Sequence, residues 1–135
     1  MPLLQDLMGT GMPGELASVI STETLSSAPT CSSSGSLTAA GTNLATALVL
    51  TSFVNLVGTA AASTGVALPI ECPIGQAVYV ANNGANAVRV YAQSSQTLNT
   101  SIAGATGTSV ATTQAVQCIR QSATNWIVMV HTKAV

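Results

Sequence analysis

The sequence predicts an all-β fold: an antiparallel β-sandwich or small barrel, jelly-roll-like, preceded by an extended N-terminal arm with short helical turns. Three observations carry this. Apolar residues alternate with a period of two over most of residues 44–135, a division that sets a β domain apart from an arm and connector over 1–43. Turn signals built from Gly, Asn, Ser and Thr recur at short intervals. Nothing reads as the helix-strand alternation of a parallel sheet.

The first twenty residues differ in texture from the rest. Leu3, Leu4, Leu7 and Met8, then Met12, Leu16, Val19 and Ile20, fall at helical spacing, with Pro13 suited to a first helical position and Glu15 to the positive end of a helix dipole. Segments this short are marginal as isolated helices, so these eight residues form the candidate docking set, expected to order against a partner surface. Residues 21–43 are rich in Ser, Thr, Ala and Gly and read as an extended connector, with a strand around Ser36 to Ala40 as the alternative.

From Leu44 to Val57 the alternation predicts one strand, apolar on both faces. Gly58 and the small residues after it end that strand. Gly65 to Ile70 resumes an extended path, and Pro69, which cannot donate to a ladder, argues for a sheet edge. Gln76 to Ala81 and Ala87 to Gln93 flank an Asn83-Gly84 step, the strongest hairpin signal in the chain. An antiparallel hairpin there packs Val88 and Val90 inward and lets Tyr79 and Tyr91 meet across the strands, for about 0.2 to 1 kcal/mol. Thr97 to Ala103 is a short extended piece. A second hairpin joins Val110–Gln121 to Asn125–Thr132, with Trp126, Val128 and Val130 on one face and Ile127, Met129 and His131 on the other.

Composition narrows the function. Only 5% of residues are charged and 47% are hydrophobic, and the net charge is -1. A surface made of Ser, Thr, Asn, Gln and Ala suits burial against other subunits and offers no basic stripe for nucleic acid. Leu44 to Ala62 is interrupted by Thr46, Thr51, Ser52, Asn55 and Thr59, and the β reading accounts for it without a membrane span. No secretory signal is visible at the N-terminus, so folding inside a cytoplasm is expected.

The residues for catalysis are scarce, and no enzyme is expected. His131 is the single histidine, and no acid lies in a segment with obvious reach of it. Of four acids only Glu71 falls in the β region, as a solvated turn charge or a partner for Arg89 or Arg120. Cys31, Cys72 and Cys118 are odd in number and lack close spacing, so neither a disulfide framework nor a metal site is expected, and no cofactor is implied. Trp126 with Tyr79 and Tyr91 offers either a core or interface cluster or the stacking platform of a carbohydrate-binding receptor module.

The order of "GVALP", "GQAVYVANNGANAVRVYAQ", "LNTSIAG" and "NWIVMV" resembles the β domain of tailed-bacteriophage virion proteins, in particular small capsid decoration, cement and head-fibre proteins. The opening "MPLLQDLMGTGMPGELA" is similar to N-terminal segments of capsid-associated proteins. The resemblance implies a structural protein on the capsid surface of a virion, binding the major capsid protein and its own copies, often as a homotrimer. A head-fibre or tail-fibre adaptor is the alternative, with residues 1–43 as the anchor.

Overall fold

The computed structural model describes residues 33–134. All of the regular structure in them is β, with no helix. The chain first alternates between two sheets. β1 (Ser33–Thr38), β3 (Val54–Thr59) and β5 (Ala77–Asn82) belong to the larger, and β2 (Leu48–Val49), β4 (Gly65–Ala67) and β6 (Val88–Tyr91) to the smaller. Each strand returns parallel to the one a turn earlier: β1 with β3 and β3 with β5, then β2 with β4 and β4 with β6. The result is a β-solenoid-like stack of three coils.

The remainder closes the stack. β7 (Thr97–Leu98), β8 (Ile102–Ala103), β9 (Thr108–Val110), β10 (Gln114–Arg120) and β11 (Asn125–Thr132) give a seven-stranded sheet of order β1-β3-β5-β10-β11-β7-β8 and a four-stranded sheet of order β2-β4-β6-β9. β10 runs antiparallel to both β5 and β11, and β9 antiparallel to β6. The expected β10–β11 hairpin is present, with Arg120 opposite Trp126 and Gln114 opposite Thr132.

Parallel pairing is the main departure from the antiparallel arrangement expected of these strands. The segment from Leu44 to Val57 is not one strand but two, in different sheets. Leu50 is buried and Val54 exposed, so the alternation slips at the corner between them. Buried Asn55 fixes that corner by donating to the Ser52 carbonyl at 2.8 Å and to the Tyr79 carbonyl at 3.2 Å. Within the stretch read as connector the alternative of a strand around Ser36 to Ala40 is met in part: Ser33–Thr38 pairs with β3, and Ala40 bridges Gly65. Pro69 follows β4, which lies between β2 and β6, so it marks a strand end and not an edge.

The Asn83-Gly84 step does not make a hairpin: β5 and β6 lie in different sheets, so Tyr79 and Tyr91 do not meet. Neither Asn83 nor Gly84 has the positive φ that a tight two-residue hairpin demands. Glycine is required there by crowding, because a Cβ on Gly84 would lie 2.7 Å from the Ala60 Cβ and 2.8 Å from the Ala60 nitrogen. The corner is held by side-chain amides. Asn82 donates to the Asn86 and Val110 carbonyls, each at 2.9 Å, and accepts from the Gly84 N–H at 2.8 Å. Asn86 donates to the Ala60 carbonyl at 2.9 Å, tying this corner to the one a coil earlier.

One core lies between the sheets. Val57, Val78, Val80 and Val116 from the larger meet Val66, Val88, Val90 and Val110 from the smaller, with Trp126 wholly buried at one end. Valine dominates because its branched, compact side chain fits a pleated surface covered on its inner side. On the other side of the smaller sheet Ala67 and Tyr91, one position out of phase with Val66 and Val90, pack with Ala47 and Leu44. Tyr91 donates its hydroxyl to the Thr42 carbonyl at 3.0 Å, which pins residues 42–47 over that face.

Candidate functional surface

The outward face of the seven-stranded sheet follows from strand alternation. With Val78, Val80, Val116 and Cys118 turned to the core, their neighbours must face away. Register then lines Val54, Tyr79, Gln117 and Met129 in one row across β3, β5, β10 and β11. The row on one side holds Ala77, Ile119 and Ile127, and the row on the other holds Leu56, Ala81, Ala115 and His131. Val54 is 50%, Tyr79 44%, Ile127 39% and Met129 39% exposed, and none of these positions carries Asp, Glu, Lys or Arg. Gln117 donates its side-chain amide to the Tyr79 hydroxyl at 3.0 Å, holding the phenol in place on the face. A contiguous apolar surface without charge is what a buried contact presents before its partner arrives.

The residues capable of chemistry are dispersed. Among the described residues no group of three or more His, Cys, Asp and Glu is placed to hold a metal ion. Cys118 is buried in the core, which pushes its thiol up to about 12. Burial also raises the Cys72 thiol, with nearby Arg120 acting in the opposite direction. Neither is the depressed thiol of a nucleophile. His131 lies exposed on β11, beside Ala115. Glu71 is exposed in the loop after β4 and forms no ion pair among the described residues. Arg120 instead donates to the Cys72 carbonyl at 2.5 Å, and Arg89 to the Thr106 carbonyl at 2.9 Å.

The aromatic platform does not assemble. Trp126 is buried with its indole N–H on Gln96, and Tyr91 is buried on the opposite side of the smaller sheet, so only Tyr79 is open. Leu3, Leu4, Leu7, Met8, Met12, Leu16, Val19 and Ile20 lie outside the described residues, as does Cys31. The sheet face was not singled out from sequence, although a signal existed. The outward positions Tyr79, Ile119, Ile127 and Met129 are apolar in strands whose inward positions are apolar too. No helix among the described residues is long and apolar enough to cross a membrane. Comparison with family models, with curated proteins and with solved structures gives no match.

Proposed function

We propose that this chain is a structural virion protein that binds the outside of a phage capsid as a decoration or cement protein. It acts as a homotrimer and stabilises the shell by non-covalent contacts, after synthesis in the host cytoplasm. The observation that carries the reading is the uncharged apolar face around Val54, Tyr79, Ile127 and Met129. Contact is a task for such a surface, with about 25 cal/mol per Å² of apolar area buried as the driving term before the cost of association. The motif order from "GVALP" to "NWIVMV" supports the virion setting. The jelly-roll-like kinship expected of the β domain belongs to the same proposal, since two sheets over one valine core are common to both arrangements. In this reading the eight apolar residues of the arm engage the major capsid protein or a neighbouring subunit, and the sheet face joins copies of the chain.

A head-fibre adaptor is the second reading. Stacked parallel coils favour it, because β1 pairs among the described residues with β3 alone, and a coil stack extends along its axis. Two measurements test the proposal. Sedimentation equilibrium of the purified protein should give a trimer, and a stable monomer at micromolar concentration overturns the subunit arrangement. Full-length protein should co-sediment with empty capsids of the encoding phage. Failure to do so overturns the decoration role, and imaging of the intact particle separates shell from fibre attachment.

A further inference from the structure

The crowded corner after β5 carries the one Asn-Gly step of the chain, Asn83-Gly84. Such a step is prone to deamidation, because a glycine nitrogen is unhindered by a side chain and can attack the amide carbon of the asparagine before it. Ala60 excludes any larger residue at position 84, since a Cβ there would lie 2.7 Å from its own. Asn83 is exposed, and its Oδ1 accepts from the Lys133 ammonium. Packing therefore places a labile step at a corner that also ties two coils together.

The nucleophile is restrained. Gly84 is buried, and its N–H donates to the Asn82 Oδ1 at 2.8 Å. Asn82 is itself wholly buried and is fixed by donating to the Asn86 and Val110 carbonyls, each at 2.9 Å. Attack requires the Gly84 nitrogen to shed its proton and rotate onto the Asn83 side chain, and both the bond to Asn82 and the contact with Ala60 oppose this. Both restraints are lost when the corner opens.

We propose that Asn83 is a self-modification site gated by this corner: closed while Asn82 holds the Gly84 N–H, and deamidated once the corner opens. Water is the only co-reactant. The Gly84 nitrogen bonds to Cγ of Asn83, the bond from Cγ to the side-chain nitrogen breaks, and ammonia leaves with the proton that Gly84 gave up. Water then opens the cyclic imide at either carbonyl, giving aspartate or isoaspartate. The aspartate carboxylate forms beside the Lys133 ammonium, which holds that product in the closed corner. Isoaspartate adds a main-chain carbon where Ala60 leaves no slack, so that product does not reclose, and the ties from Asn82 to Val110 and from Asn86 to Ala60 are lost. An opening of the corner is thereby recorded in the chain, and in the second product it is permanent. None of this depends on the capsid reading.

The test keeps full-length protein for days at mildly alkaline pH and follows peptide mass and isoaspartate content at Asn83. Deamidation should be slower by about tenfold or more in native buffer than in urea. Asn82→Ala should speed it in native buffer, whereas Gln96→Ala, which weakens the opposite end of β11, should not do so at equal global stability. Equal wild-type rates in native buffer and in urea overturn the gate, and this comparison decides even if Asn82→Ala does not fold. An equal rise in the two variants overturns the role of Asn82. A lasting loss of ammonia without uptake of water, abolished by Lys133→Arg, would make the lysine the nucleophile and overturns the assignment.

Discussion

Trp126 donates its indole N–H to the Oε1 of Gln96 at 2.8 Å, a bond buried in the core. The same oxygen accepts the Gln93 N–H at 3.3 Å, and the Gln96 amide reaches the Ala123 carbonyl at 3.3 Å. One glutamine thus joins the loop before β7, the turn between β10 and β11, and the core. Gln96→Ala should cost about 1 to 3 kcal/mol, since it leaves a buried donor without an acceptor. Urea unfolding followed by tryptophan fluorescence measures it, and a loss below about 0.5 kcal/mol would contradict the role given to this bond.

Gly84→Ala should destabilise by an amount set by crowding and not by backbone angle. Its added Cβ meets Ala60 at both the Cβ and the nitrogen. Combining it with Ala60→Gly removes the first clash and leaves the second, so the double variant should recover only part of what Gly84→Ala loses. A double-mutant cycle from thermal melts reads the coupling, and strict additivity would show that the two corners do not touch as described.

The Cys118 thiol gives a pH dependence. Its ordinary value is 9.0, and burial pushes it to about 12 in the folded chain. Between these values the unfolded chain has lost the proton and the folded chain retains it, so stability is intact below 9.0 and falls as pH rises toward 12. The slope approaches about 1.4 kcal/mol per pH unit. Cys118→Ala should flatten this window in denaturation curves taken at rising pH. In native protein near neutral pH the same thiol should resist alkylation until the domain unfolds.

Asn99 stands in for a missing strand beside β11. Its side-chain amide donates to the Val128 carbonyl at 3.1 Å and accepts the Val128 N–H at 2.8 Å, while its own N–H donates to the Trp126 carbonyl at 2.7 Å. Its φ of 51° suits asparagine or glycine. Asn99→Gly keeps the backbone and removes the cap. Amide exchange at Val128 should then accelerate by about tenfold or more while core amides such as Val80 hold their protection. Unchanged exchange at Val128 would mean that the cap contributes nothing.

The strands were legible where the local pattern suffices. Ala77–Asn82, Gln114–Arg120 and Asn125–Thr132 follow from alternation, and "QSATN" marks a true hairpin because its flanking strands are both long enough to pair. Pairing between distant strands was not legible. Asn83-Gly84 satisfies a hairpin rule and a corner rule equally well, and what decides between them is Ala60 on the neighbouring coil and the Val110 carbonyl, neither of which is local. The same holds for Leu44 to Val57, where the hydrophobic period runs on while Ser52 and Asn55 turn the chain from one sheet to the other. The exposure of Ile70 and Ile74 was hidden for a different reason: sequence shows an apolar residue but not whether anything covers it.

The parallel return of β1, β3 and β5 makes height a countable property of the molecule. Adjacent strands in a sheet are about 4.8 Å apart, so each complete turn of chain raises the stack by that increment without altering its cross-section or the hairpin that closes it. Inserting or deleting a whole turn between β3 and β5 would lengthen or shorten the domain in fixed steps, as links do a chain, while a partial turn would put the later strands out of step with the two sheets. A domain built this way changes its height by duplication of turns, and the surfaces at its two ends by separate substitutions there.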